Sequence, residues 1–569
     1  MFHINMRLFL DVILIIVILR PSVFGNIFNE NEELDIEKLV QTTLKCRQIP
    51  GLALTVVKGD DVWSRGFGSA DISAGIPVNN STLFAIGSVT KSFTMVLLSI
   101  LLTEKKLDWT AKVMDILGPE YGFVDDYRTR ESTLKDLLSH RTGLDGLEIG
   151  VISGYPKSVT REELCKKISF LPAQRAFRDG TTYNNYMYML LGQVAEKLGG
   201  DTWENLMTSR VFRPIGMTSS RILQEPFELF KGDVARPYMM INGQFVLGTQ
   251  EIYKISPLEA SGAILSNGVD MAKYIRFNLN MGKTDNGTQL LDPKLLMESY
   301  TDISEYTGQQ YRAITRPTFP VSDIHLGYGQ GWIVGNYNGY KKVWHSGTVI
   351  SYKTLAWMFP ELRIGILGTS NGPAIDVQQA DALTTILYHI IDRLLGFTPW
   401  INVTNVCTFP KPWQEEISMG YGPGETERVL QNAQEYTGYY DNNMLTGIKL
   451  EKDNESNTRL KFTMGHLKGN LYSTPHQDRF LMEFLSPAEL YRPYMDQNNV
   501  TMKFNVSFER KNNEVATMQM YFNKVPLNFI KRGHLQPKID TLSSGKKRLF
   551  DVLQWLKYIV LLTLTTDLL

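Results

Sequence analysis

The chain has 569 residues, 59 basic against 59 acidic, with 43% hydrophobic and 21% charged side chains. That is globular composition, long enough for two domains. Zero net charge and the lack of any basic run argue against a nucleic-acid partner.

Residues 1–25, "MFHINMRLFLDVILIIVILRPSVFG", have a weakly basic start, an apolar core from Leu8 to Leu19, and small residues at Val23 and Gly25. This layout predicts a signal peptide cleaved after Gly25, hence a secreted, extracellular protein. The apolar core is too short to span a bilayer comfortably. Sequons at Asn79, Asn80, Asn286, Asn402, Asn454, Asn499 and Asn505 are candidate glycosylation sites. Cys46, Cys165 and Cys407 allow at most one internal bridge; their pairing stays open, with buried or loosely paired thiols preferred. The eight histidines show no His-Glu-x-x-His and no paired zinc spacing, so neither metal nor cofactor is expected.

Residues 50–70 read as a hairpin turning at Gly-Asp. Residues 84–106 follow, "FAIGSVTKSFTMVLLSILLTEKK". Val89, Phe93, Met95, Val96, Leu97, Leu98, Ile100, Leu101 and Leu102 cover more than one stripe, so 88–103 is expected as a buried helix. Lys91 then stands near the positive end of the helix dipole and away from water, and both effects depress its pKa. Ser88 lies at i−3 on the same face, so a lysine able to lose its proton could activate it as a nucleophile. The same Ser-x-x-Lys spacing recurs at Ser132/Lys135, Ser543/Lys546 and Ser544/Lys547, so spacing alone does not single out this pair.

Residues 181–196, "TTYNNYMYMLLGQVAE", place Tyr183 and Asn185 just before an amphipathic helix. A phenol titrates near ~10, and a cationic lysine beside it would favour the phenolate, so Tyr183 and Lys91 are expected to share a proton. Asn185 offers a substrate amide both a donor and an acceptor. Strands resume over 327–370 as "GYGQGWIVG", "YKKVWHSGTVI", "YKTLAWMF" and "RIGILGTS", and a helix over about 375–395 closes the unit. In "WHSGT", His345 could orient or polarise a substrate, and Gly347 admits a close backbone approach. The strand edge there could pair with an extended substrate. Strands at both ends with helices between predict an α+β domain over 30–398 built on one sheet.

Residues 399–430, rich in Pro and Gly, read as a linker. Alternation in "VTMKFNVSFER" (Met502, Phe504, Val506, Phe508) and "VATMQMYF" (Ala516, Met518, Met520, Phe522) predicts a small antiparallel all-β domain over 431–535. The tail 536–569 is apolar, with Ser543, Ser544 and Gly545 before a basic spacer. It loosely resembles a lipid-anchor signal. Lys557 and Asp567 interrupt it, so an amphipathic helix is preferred over a membrane anchor.

Ser88-Val89-Thr90-Lys91, Tyr183-Asn184-Asn185 and His345-Ser346-Gly347 resemble, in order and spacing, the three motifs of the serine β-lactamase-related family. That family includes class C β-lactamases, D-Ala-D-Ala carboxypeptidases, D-aminopeptidases and esterases. "IPGLALTVV", "TLKDLLSHRTGL" at 133–144 and "GYGQGW" at 327–332 extend the resemblance over roughly 35–395, and "YTGYY" at 436–440 is similar to a β-domain often appended to such proteins. The resemblance implies the β-lactamase/transpeptidase fold, an antiparallel sheet flanked by helices with a helical subdomain. It also implies an acyl-enzyme on Ser88, proton transfer by Lys91 and Tyr183 with the base between them undecided, and an oxyanion hole of the Ser88 and Thr348 amides. The substrate would be a small molecule or a peptide. Where class C β-lactamases carry Lys-Thr-Gly, this chain has His-Ser-Gly. Histidine is largely neutral at pH 7, so weak or no β-lactamase activity is expected.

Two other readings are weighed against this one. Gly368-x-Ser370-x-Gly372 mimics an α/β-hydrolase elbow, with Asp392 and His466 downstream, but no Gly-rich oxyanion loop precedes it. The alternative to an enzyme is a catalytically silent relative acting as a binding or extracellular-matrix protein, since some secreted invertebrate members occur in shell matrix. The retained Ser88, Lys91, Tyr183 and Asn185, with no acidic run for mineral, favour the hydrolase.

Overall fold

The computed structural model describes residues 27–241, 243–249, 253–306, 313–372, 382–414, 427–485, 503–522 and 525–533. The expected signal peptide, the apolar tail, the sequon at Asn499 and residues 415–426 of the expected linker lie outside them.

Helix α1 (Glu30–Cys46) starts at a capping box. The Asn29 side chain accepts from the Glu32 amide, and the Glu32 carboxylate accepts from the Asn29 amide. The expected hairpin follows as β1 (Gly51–Lys58) and β2 (Asp61–Asp71). The buried helix is α2 (Thr90–Lys105), entered through a 3₁₀ turn at Gly87–Val89. Every residue from Thr90 to Leu102 is buried, as its all-round apolar character requires. The helical subdomain includes α3 (Glu148–Ser153), α4 (Asn185–Gly199), α5 (Glu259–Gly262) and α6 (Gly268–Leu279).

Five antiparallel strands then complete the sheet: β3 (Asp323–Tyr328), β4 (Ile333–Tyr337), β5 (Tyr340–Val349), β6 (Tyr352–Phe359) and β7 (Ile364–Ser370). Strand β7 pairs with β1, so the order β3-β4-β5-β6-β7-β1-β2 joins both ends of the domain within one ten-stranded sheet. The two faces of each strand serve different layers. Leu52, Leu54 and Val56 of β1, with Leu355 and Trp357 of β6, pack under α1 and α7 (Ala382–Leu394). Ala53, Val57, Ala356 and Met358 face the helical subdomain.

The stretch 327–335, expected as one strand, is broken. Strand β3 ends at Tyr328 and β4 starts at Ile333. Gly331 between them has φ +73°, and a Cβ there would lie 3.1 Å from the Lys91 carbonyl oxygen. The chain bends here to pack against the first turn of α2.

The C-terminal unit is a closed antiparallel barrel. Its strands are β8 (Gly438–Asp441), β9 (Ile448–Lys452), β10 (Arg459–Met464), β11 (Leu467–Ser473), β12 (Arg479–Phe484), β13 (Lys503–Lys511), β14 (Glu514–Phe522) and β15 (Val525–Lys531). Val506, Phe508, Met518 and Met520 are buried, with Ile448, Phe462, Met482 and Phe529. Closure removes the exposed edges that a small open sheet would present.

Two expectations are corrected. Cys46 and Cys407 form a disulfide, so only Cys165 remains a buried free thiol. Residues 400–413, expected within a linker, are packed: Trp400, Ile401, Val406 and Phe409 are buried in the core that α1 and α7 share. The bridge fastens this stretch to the end of α1, a pairing across 361 residues that the sequence could not assign.

Candidate active site

Ser88 sits in the 3₁₀ turn ahead of α2. That turn lies against the last residues of β5. A Cβ on Gly347 would stand 1.8 Å from the Ile86 carbonyl oxygen and 3.1 Å from the Ser88 nitrogen. A Cβ on Gly87, which has φ +53°, would stand 2.6 Å from the Thr348 nitrogen. Only residues without side chains allow this contact, and it brings the backbone around Ser88 and Thr348 together. Pairing of β5 with β4 stops at Trp344, whereas pairing with β6 runs on to Val349. Residues 345–349 thus have no β4 partner beside the nucleophile turn.

Lys91 is fully buried, and burial depresses its pKa to about 7, against a smaller upward pull from Glu148. Its Nζ has three neighbours: Asn185 Oδ1 at 2.7 Å, the Ser261 carbonyl oxygen at 2.8 Å and Ser88 Oγ at 3.0 Å. Two are acceptors only, and the third is a hydroxyl. Nζ donates to all three, a set that satisfies an ammonium; once the amine is neutral, two N–H bonds can keep the carbonyls and the lone pair is left to take the Ser88 proton across 3.0 Å. At an ordinary ~10.4, a lysine would be neutral in only about one molecule in 2,500 at pH 7.

Tyr183 donates from its hydroxyl to Ser88 Oγ at 2.8 Å. Its pKa lies well above the usual phenol value because it is buried, with Glu148 adding to the rise. The expectation that Lys91 would favour the phenolate is therefore reversed: desolvation outweighs the lysine, and Tyr183 holds its proton. Asn184 positions this stretch by capping α4, its side chain accepting from the Tyr186 and Met187 amides. Asn185 differs from expectation too. Its carbonyl oxygen is taken by Lys91, and its amide nitrogen donates to Glu148 Oε1 at 3.3 Å. It holds the lysine rather than presenting a free amide.

His345 is buried, and its ring nitrogens are both engaged. Nδ1 lies 2.5 Å from the Ser346 carbonyl oxygen, and Nε2 lies 2.7 Å from the Tyr328 hydroxyl. Nδ1–H donating while Nε2 accepts from Tyr328 satisfies both. Burial, together with Lys91, pushes its pKa down to about 3, so it is uncharged at neutral pH. Both ring nitrogens of His345 are thus taken up within the protein, and Gly347 and Thr348 lie nearest the nucleophile turn.

Sequence reasoning missed four participants. Glu148, partly exposed on the short helix α3, has a pKa raised to about 7, by burial first and despite the opposing pull of Lys91. Ser261 contributes only a carbonyl, which carries no residue-type signature. Tyr328 belongs to the quoted "GYGQGW", but nothing in that string predicts a histidine partner. His140, within "LLSHRTGL", accepts at Nδ1 from the Asn184 amide at 3.1 Å. Its Nε2 has no hydrogen-bond partner and lies among the rings of Tyr183, Tyr188 and Tyr328, whose centroids are 4.3, 5.1 and 4.6 Å away.

The elbow-like Ser370 does not gather a triad. It is buried on β7, Asp392 accepts from the Tyr337 hydroxyl and the Trp400 amide, and His466 abuts Gly154. Among the described residues, no group of three or more His, Cys, Asp or Glu could hold a metal ion, and no helix is long and apolar enough to cross a membrane. The sequon asparagines 79, 80, 286, 454 and 505 are exposed, and Asn402 is partly so.

The beta-lactamase family profile matches residues 36–388. Similar proteins include the unguisins hydrolase ungD of Aspergillus violaceofuscus, 27% identical over 376 residues, or 64% of this chain and 65% of that protein. The chain thus covers just under two thirds of that relative's length. Gigasin-6 of Magallana gigas is 28% identical over 262 residues, 44% of this chain and 85% of its own. The octameric penicillin-binding protein homologue of Pyrococcus abyssi superposes with a TM-score of 0.54 at 21% identity, covering 87% of this chain and 99% of that one.

Proposed function

The chain belongs to the beta-lactamase family, and on that footing we propose that it is a serine hydrolase that opens amide or ester bonds through an acyl-enzyme on Ser88. The observation that carries this reading is the set of contacts around Lys91 Nζ, two carbonyl acceptors and the Ser88 hydroxyl, in a site that keeps much of the amine neutral. Ser88 Oγ attacks the substrate carbonyl carbon, and its proton passes to Lys91 Nζ. The Ser88 and Thr348 amides hold the oxyanion that forms. Tyr183, protonated at rest, gives its proton to the leaving group and recovers one from Lys91. Water then attacks the ester with the same groups returning the proton. Lys91 is thus the base and Tyr183 the relay, an order supported by the opposite directions of need: the amine loses its proton easily and the phenol does not.

The substrate reading follows from charge. The neutral His345 supplies no cation for a substrate carboxylate, and Lys342, three residues earlier and so on the opposite face of β5, is ion-paired to Asp323. A small amide, ester or peptide without an essential carboxylate fits this site, and the name of the similar unguisins hydrolase favours the same chemistry. An extracellular setting is supported by the Cys46–Cys407 bridge and the exposed sequons. A screen of acyl esters, aminoacyl amides and peptides tests the reading. Turnover by the wild-type chain that is lost in Ser88→Ala supports it; folded protein inert toward every class would favour the silent, matrix-type alternative.

A further inference from the structure

The C-terminal barrel touches the site through the short helix α3. Helix α3 has six residues, too few to hold its shape alone. Its last carbonyls need partners from outside. The barrel supplies them. The Thr446 hydroxyl, in the β8–β9 loop, donates to the Gly154 carbonyl oxygen at 2.7 Å. The His466 amide, in the β10–β11 turn, donates to the Ser153 carbonyl oxygen at 3.1 Å.

Shape matches these bonds. A Cβ on Gly150 would lie 2.5 Å from Leu445 Cδ2 and 2.3 Å from the Tyr186 hydroxyl, so α3 is closed between the barrel and α4. A Cβ on Gly465, with φ +57°, would lie 2.1 Å from the Ser153 oxygen. A polar relay runs alongside. The Tyr155 hydroxyl donates to the Met444 carbonyl oxygen at 3.3 Å and lies 2.8 Å from the Tyr186 hydroxyl. Tyr186 adjoins Asn185, the residue that links Lys91 to Glu148.

We propose that the barrel completes the active site: Leu445, Thr446 and the Gly465–His466 turn are positioning residues that hold α3 so that Glu148 faces Asn185 and Lys91. The proposal rests on the hydrolase reading for its catalytic consequence, while the mechanical part stands on contacts alone. The groups facing Lys91 are Glu148 from α3, Tyr183 and Tyr188 from α4 and the stretch before it, His140, and His345 from β5. Of these, only Glu148 pulls the lysine pKa upward. Freeing α3 therefore lets Lys91 stay neutral to lower pH.

The test uses the full chain as Leu445→Ala/Thr446→Val, with Thr446→Val alone in case the double variant fails to fold, Thr446→Ser as the conservative rescue and Glu148→Gln as reference. Amide exchange over 148–155 is measured, with the rate of covalent capture of Ser88 by a fluorophosphonate against pH. The expected result is exchange there faster by roughly tenfold or more, as lost capping and packing imply, with β7 unchanged. The capture midpoint moves to lower pH, in the direction of Glu148→Gln, and Thr446→Ser behaves as wild type. Unchanged exchange, or faster exchange with an unmoved midpoint, overturns the proposal. Wild-type protein that is never captured would defeat the hydrolase reading alone, and exchange would then decide whether the barrel holds α3.

Discussion

Replacing Gly347 by alanine places a methyl group 1.8 Å from the Ile86 carbonyl oxygen and 2.8 Å from its carbon. Carbon–oxygen contacts settle near 3.3–3.6 Å, so β5 and the nucleophile turn must part by about 1.5 Å. No relief comes from the other side, where Gly87 already packs against Thr348. The displacement separates the two amides assigned to the oxyanion. Removing one such donor costs roughly 100- to 1,000-fold, and a misplacement of about 1 Å costs about 100-fold. Acylation of Gly347→Ala should therefore fall about 100- to 1,000-fold. Overpacking costs about 1–3 kcal/mol, which a domain stable by about 5–15 kcal/mol tolerates. Fluorophosphonate capture rates beside a melting curve separate the two effects. A folded variant captured at nearly the wild-type rate would show that these amides do not hold the developing charge.

Ser370→Ala should hydrolyse ester substrates at the wild-type rate, because Ser370 is buried on β7 apart from the Lys91 cluster; loss of turnover in a variant of unchanged melting temperature would reinstate the elbow reading. A chromogenic cephalosporin should turn over far more slowly than short acyl esters, because the site presents neutral His345 where a fixed cation would be needed; a fast cephalosporin rate would contradict this. Cys46→Ser should lower stability by about 2–5 kcal/mol in chemical denaturation while Ser88 remains reactive, since the bridge lies on the far side of the sheet; an unchanged denaturation midpoint would mean that packing of Trp400 and Phe409 alone holds that stretch.

Much of the fold was readable because its signals are local. The all-round apolar run 89–102 could only be a buried helix, and period-two alternation marked the barrel strands. The pair Ser88 and Lys91 was readable through helical spacing, and Tyr183 and Gly347 through their place among the three motifs. What stayed hidden depends on tertiary contact. The direction of the Tyr183 pKa shift stayed hidden because its burial cannot be counted from sequence. His345 looked free until Tyr328, 17 residues earlier, closed its second nitrogen. Glu148 opens a six-residue helix too short to show a period, and it meets Lys91 and Asn185 only in the folded chain. The break at Gly331 was missed because "GYGQGWIVG" carries strand-forming residues on both sides of a turn that packing against α2 imposes.

The central claim is that a lysine whose pKa burial lowers to about 7 takes the proton of Ser88. Mass-spectrometric measurement of fluorophosphonate capture across pH 5–9 on the full-length chain tests it most directly. Because the Lys91 pKa is lowered to about 7 and its neutral form is the active one, capture should fall as pH drops through about 7. The adduct should map to Ser88 and be absent from Lys91→Arg, whose guanidinium stays charged. A rate independent of pH in that range, or an adduct on any other serine, would contradict the account.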